Sequence, residues 1–237
     1  MKILLINPSH LSIGSRLAGE HLPPLGLLSI GGPLIDAGYA VNLLDADYEN
    51  LKMSQIVASV VAKKVDIVML GHSGSSSAQP VINEITQLIR QAQPEIRIIV
   101  GGIFPTFHWK DILQENPQID YIVCGEGEKT ILELVCAIEQ NSPISNVKGI
   151  AYLQNNIPVQ TSPAEMIENL ELFMQMRPKA LKRLFFHRDA RLRSAMRWYT
   201  NIGRRVWFWE LYQFFFVTKL TKEKITLEKF WNKSEQI

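Results

Sequence analysis

Short apolar runs and amphipathic stretches alternate along the first two-thirds of the chain. Lys2–Asn7 (KILLIN) is apolar at successive positions, as a strand buried on both faces must be, and it ends at Pro8. The segment 8–24, with His10, Gly14, Gly19, Pro23 and Pro24, reads as a loop; that length within a compact domain points to function. Leu25–Ala37 is an apolar helix with Pro24 suited to its first turn and Gly38 to its C-terminal cap. Val41–Leu44 reads as a strand, Met53–Lys64 as a helix and Asp66–Leu70 as a strand. Gln79–Gln91 places Val81, Ile82, Ile85, Leu88 and Ile89 on one helical face. Ile96–Val100 is a strand, His108–Glu115 a short helix, Tyr121–Val123 a strand and Lys129–Gln140 a helix.

Strand and helix thus alternate five times, which predicts an α/β fold with a parallel sheet covered on both faces. The expected arrangement is a flavodoxin-like, doubly wound, five-stranded sheet of order 2-1-3-4-5. Ile150–Leu153 and Ile157–Gln160, around Gln154-Asn155-Asn156, predict a β-hairpin leaving this domain. A linker runs from Pro163 to Phe173. Beyond it, Pro178 opens a short basic helix, Asp189 caps a second that ends at Gly203, and Val206–Leu220 forms a strongly aromatic third. The expected division is 1–145 for the α/β domain, 146–173 for hairpin and linker, and 174–237 for a helical tail.

Three of the expected strands end in clusters of small residues. The third runs into His72, Ser73, Gly74 and Ser75, the fourth into Gly101, Gly102 and Phe104, and the fifth into Gly125, Glu126, Gly127 and Glu128. Small residues let backbone N–H groups approach a ligand closely, and open α/β sheets bind outside the carboxyl ends of their strands. Together these ends predict one shared crevice. Taken singly, each is also an ordinary tight turn, and Glu126 and Glu128 also read as acidic residues complementing a helix N-terminus. No Gly-x-x-x-x-Gly-Lys-Ser/Thr stretch and no Gly-x-Gly-x-x-Gly opens the first helix, which disfavours a nucleotide. Asp45 and Asp47 resemble the acidic cluster of receiver domains, but the third strand ends in Leu70-Gly71-His72, without the Asp that chemistry needs. His10, His21, His72, His108 and His187 show no metal-ligand spacing, so neither a metal centre nor a catalytic group is assigned.

Charge divides the chain again. Residues 1–173 carry 10 Lys+Arg against 18 Asp+Glu, a net −8, whereas 174–237 carry 15 against 5, a net +10, with 13 of the 21 aromatic residues. Cys124 and Cys136 read as thiols of a reducing compartment. Met1-Lys2 leads directly into a strand without a signal peptide, and no run reaches the roughly 18–20 apolar residues of a membrane span. The expectation is a cytoplasmic protein with no nucleic-acid partner, whose basic aromatic tail either packs on the α/β domain as a helical cap through Trp198, Trp207, Phe208 and Phe215 or lies peripherally on an anionic membrane surface.

Lys2–Pro8, Pro23-Pro24-Leu25-Gly26-Leu27, Gly101-Gly102 with Pro105-Thr106, and Gly125-Glu126-Gly127-Glu128 together resemble a known domain. It is the N-terminal cobalamin-binding domain of cobalamin-dependent radical S-adenosylmethionine (SAM) enzymes. Arg177-Pro178, Arg197-Trp198-Tyr199 and Gly203–Phe208 resemble the C-terminal end of one branch, the anaerobic magnesium-protoporphyrin IX monomethyl ester cyclases. The resemblance implies cobalamin as cofactor, held by Ser9, His10, His72, Ser73, Gly74, Ser75, Gly101, Gly102, Phe104, Gly125, Glu126, Gly127 and Glu128. Two departures qualify it. Two cysteines twelve residues apart cannot form the family's Cys-x-x-x-Cys-x-x-Cys motif, so no iron–sulfur cluster or radical SAM activity is expected of this chain by itself. Other cobalamin domains carry Asp-x-His-x-x-Gly after the first strand; here Asn7-Pro8-Ser9-His10-Leu11-Ser12 has Ser9 in the His position.

The resulting expectation is a cobalamin-binding protein of tetrapyrrole-biosynthesis ancestry, a cyclase lacking its iron–sulfur/SAM core, which is a gene remnant, a carrier or a split subunit acting with a separate radical SAM subunit. The alternative is a non-enzymatic α/β interaction module that uses its basic tail to bind a membrane or partner.

Overall fold

Ile3 and Leu5 point to one side of the first strand and Leu4 and Ile6 to the other, and all four are fully buried. A strand with this pattern needs a helical layer on each face. The computed structural model, which describes residues 1–8, 24–71 and 78–165, supplies both. The elements in chain order are β1 (Lys2–Asn7), α1 (Leu25–Asp36), β2 (Ala40–Asp45), α2 (Met53–Lys63), β3 (Ile67–Gly71), α3 (Gln79–Ala92), β4 (Arg97–Gly101), α4 (Ile103–Glu115), β5 (Tyr121–Val123), α5 (Gly127–Glu139), β6 (Ile150–Gln154) and β7 (Ile157–Gln160).

β1 to β5 are parallel and take the expected order 2-1-3-4-5. One core packs Ile3, Leu5, Ile67, Met69 and Ile99 under α1 and α5. The other packs Leu4, Ile6, Val68, Leu70, Ile98 and Val100 under α2, α3 and α4. Alternate residues of each strand thus feed opposite cores. Burying one such Ile or Leu contributes about 1.5–3 kcal/mol.

Two expectations are corrected. The hairpin does not leave the domain. β6 pairs antiparallel with β5 and β7 with β6, extending the sheet to seven strands among the described residues. Its two-residue turn, Asn155-Asn156, has φ of 50° and 62°, the left-handed pair that matches strand twist in a tight hairpin. The fourth helix starts at Ile103, not at His108, where the helix instead kinks (φ −116°, ψ 19°). Ile103–Phe107, which precede the expected helix, therefore form its first turn.

The amino edge of the sheet is held by Arg90. Its guanidinium donates to the carbonyls of Pro94, Ile96 and Gln118 and to Asp120 Oδ2 at 2.7 Å, while Asp120 also accepts the Ile98 N–H. This clamp sets the height of β4 against β5 and leaves their opposite ends free for other work. Among the described residues no helix is long and apolar enough to cross a membrane. The helices expected beyond Pro178 lie outside the described residues.

Candidate functional site

The carboxyl ends of β1 to β5 share one edge because the strands are parallel. At one end of that edge β1 and β2 are laced together. Asn7 Nδ2 donates to Asp45 Oδ1 at 2.8 Å, the Tyr48 N–H reaches the same oxygen, and the Ala46 N–H donates to the Asn7 carbonyl. Asp45, buried and paired in this way, has a local structural task.

The glycines along the rest of the edge fall into two physical classes. Gly71 and Gly127 are small because α1 packs on them. A Cβ at Gly71 would lie 3.0 Å from Leu27 Cγ, and one at Gly127 would lie 3.1 Å from Ile30 Cγ2. Gly101 and Gly125 have no such neighbour. A Cβ at Gly101 would meet Val123 at an ordinary 3.7 Å, and one at Gly125 would meet nothing within 4 Å. Gly102 has φ 128° and Gly125 φ 82°, conformations that glycine adopts without strain. Missing side chains at Gly101 and Gly125 therefore leave bare backbone along the β4–β5 end, beside the point where Leu27 closes the β3 end.

Thr106 joins these two glycine turns. Its hydroxyl donates to the Gly102 carbonyl at 2.8 Å and accepts the Gly125 N–H at 3.0 Å. Phe104 is half-buried against the core and stacks on His108 with centroids 4.3 Å apart. Ile103 and Phe107, one helical turn apart, are 58% and 77% exposed, so the edge also carries an apolar patch. Glu126 is the N-cap residue of α5 and Glu128 is buried in its first turn, so both stand where acidic residues complement a helix N-terminus. Cys124 lies between β5 and Gly125; burial pushes its thiol up to about 11, against which a hydrogen bond from Gln160 acts only in part. A thiol whose charged form is disfavoured in this way is a poor nucleophile at neutral pH.

Of the residues expected at the site, Gly101, Gly102, Phe104, Gly125, Glu126, Gly127 and Glu128 lie together at this edge. Ser9, His10, His72, Ser73, Gly74 and Ser75 lie outside the described residues. The Thr106 bridge went unassigned in the sequence because a threonine after a Gly-Gly pair has no pattern that reveals a partner on the next strand.

The chain leaves the sheet at the same edge. The Gly149 N–H donates to the Ser162 carbonyl at 2.7 Å, and Lys148 and Lys129 both reach Glu165, so residues 161–165 lie beside the first turn of α5.

The B12 binding domain family matches residues 13–135. The anaerobic magnesium-protoporphyrin IX monomethyl ester cyclase of Synechocystis is 48% identical over 173 residues, covering 73% of this chain and 35% of that protein. The cyclase of Rubrivivax gelatinosus is 35% identical, covering 72% and 31%. The chain thus spans about a third of the length of these relatives. Among solved structures, the radical S-adenosylmethionine methyltransferase TsrM from Kitasatospora setae, with cobalamin and a 4Fe–4S cluster bound, shares the fold. Its TM-score is 0.59 at 20% identity, over 71% of this chain and 30% of that one. A doubly wound sheet with bare glycine backbone at its carboxyl edge, and a family match over more than half of its length, agree: the chain belongs to the B12-binding domain family.

Proposed function

We propose that the carboxyl edge described above binds cobalamin through the ends of β4 and β5. The observation that carries this reading is the bare backbone at Gly101, where neither packing nor a positive φ demands a glycine, beside the open turn at Gly125, whose φ of 82° does call for one. A corrin rim is ringed with amides, which need backbone groups and small hydroxyls at close range rather than charged side chains. Gly101, Gly102 and Gly125 offer that backbone, Thr106 holds the two turns in register, and Ile103 and Phe107 offer an apolar surface to the macrocycle. Ser9, His10, His72, Ser73, Gly74 and Ser75, which lie outside the described residues, belong to the same proposed set. Bound cobalamin supplies a cobalt centre with an exchangeable ligand; the chain's own groups bind and orient the ring around it.

The relatives' cyclase chemistry is assigned to a longer assembly, since this chain spans about a third of their length. In this reading the chain is the cofactor-carrying part, and a separate radical SAM subunit is its partner. The basic tail, at net +10, gives the chain peripheral contact with anionic membrane.

Titration with hydroxocobalamin, read by its visible spectrum and by cobalamin retained after desalting, tests the proposal. Stoichiometric retention is expected. No spectral change and no retention would leave the α/β interaction module as the reading, with Ile103 and Phe107 as its contact patch.

A further inference from the structure

We propose that β2 is the seam of a homodimer, in which the strand pairs antiparallel with β2 of a second copy about a two-fold axis at Asn42. The sheet has two outer strands among the described residues, β2 and β7, and their free edges differ in kind. On β7 the Thr161 N–H donates to the Ile150 carbonyl, so by alternation Pro158 and Gln160 turn their backbone groups outward. Pro158 has no N–H and the strand is only 4 residues long, so this edge gives an incoming strand little to bind.

β2 has none of these protections. It runs for 6 residues, AVNLLD, without Pro, Lys or Arg, and its one charged residue, Asp45, is buried and bonded to Asn7. The Ala40 and Ala46 N–H groups donate to the Met1 and Asn7 carbonyls, so the backbone groups of Val41 and Leu43 face away from the sheet. A row of open N–H and C=O groups calls for another strand. The side chains of β2 suit its own copy. With Asn42 on the axis, Val41 exchanges both backbone hydrogen bonds with Leu43 of the second copy, and Leu43 with Val41. These two side chains, half-buried on the α1 face, then meet across the seam as apolar pairs. Asn42, exposed on the opposite face, meets its own copy, and an amide both donates and accepts. α2, which packs on α3 in the layer over that face, carries no charge from Met53 to Ala62 and leaves Val61 42% exposed. Two such helices approach without like charges between them. β1 and β3 separate the seam from β4, so the edge proposed for the cofactor stays open and the inference does not depend on that reading.

Light scattering and sedimentation of the full chain over a concentration series should give the mass of two chains. Asn42→Lys sets two ammonium groups against each other on the axis and should raise the Kd of dimerisation by about a hundredfold or more, with the circular dichroism of wild type. In a Cys136→Ser background, Asn42→Cys should form a disulfide between copies on mild oxidation, because facing residues of such a pair have Cα atoms about 4.5 Å apart. Ala40→Cys, on the same face but about 13 Å along the strands from its copy, should not. A monomeric wild type, a dimer that survives Asn42→Lys, or equal cross-linking at the two positions overturns the proposal.

Discussion

Replacing Gly101 by Ala adds one methyl group at the end of β4, and the structure separates its effect on folding from its effect on binding. The new Cβ would lie 3.7 Å from Val123 Cβ and 3.7 Å from the Val123 carbonyl oxygen, ordinary contact distances that call for no movement. Gly101 is not among the positive-φ glycines, so alanine fits its backbone. Removing a glycine's freedom from the unfolded chain then stabilises the protein by about 0.4–1 kcal/mol. In the complex the same methyl occupies the space proposed for the corrin. Overpacking a close-fitted contact costs about 1–3 kcal/mol, which is a rise of about 5- to 150-fold in Kd. The expected result is a urea midpoint at or above wild type together with weaker hydroxocobalamin binding in the same preparation. A Gly101→Ala protein that binds within twofold of a cobalamin-retaining wild type would refute the contact. One that unfolds early would refute the geometry. Gly102 is the poorer probe, because φ 128° strains any side chain and Gly102→Val should lose stability and binding together.

Two further outcomes follow from local geometry. Gly149→Ala should destabilise the fold by about 2–3 kcal/mol in urea melts, because φ is 75° and the new Cβ would sit 2.7 Å from Ala164 Cβ. Adding Ala164→Gly should recover the steric part but not the backbone part; no recovery would mean that the 161–165 segment does not pack there. The Cys124 thiol, raised to about 11 by burial, and the Tyr39 hydroxyl, raised to about 12 by burial and by donation to Glu139, are both neutral in the folded protein. The stability linked to them is full below their unfolded values of about 8.5 and 10 and is lost as pH rises through 11 and 12. Urea midpoints should therefore fall above about pH 9, and iodoacetamide at pH 8 should label Cys136 while sparing Cys124. Preferential labelling of Cys124 would contradict its burial.

The sequence by itself determined the layers and their order. Continuous apolar runs such as KILLIN admit only a strand buried on both faces, and five of them separated by helical patterns leave few topologies for a parallel sheet. It also marked the glycine-rich strand ends, because composition at a strand terminus is visible without knowing what lies beside it. Only the tertiary structure decided which of those glycines serve packing and which leave open backbone. Gly71 and Gly127 look like Gly101 in the sequence, and only the approach of Leu27 and Ile30 sets them apart. The docking of the hairpin onto β5 was hidden for a related reason: alternation within a strand says which face is buried but not which edge it joins. The start of α4 at Ile103 was masked by a Gly102 N-cap that offers no side-chain capping bond and by Pro105, which suits a loop as well as a first turn. The Thr106 bridge was out of reach altogether. It is a relation between residues far apart in the chain, and a hydrogen bond exists only once the fold has brought its two ends to the same place.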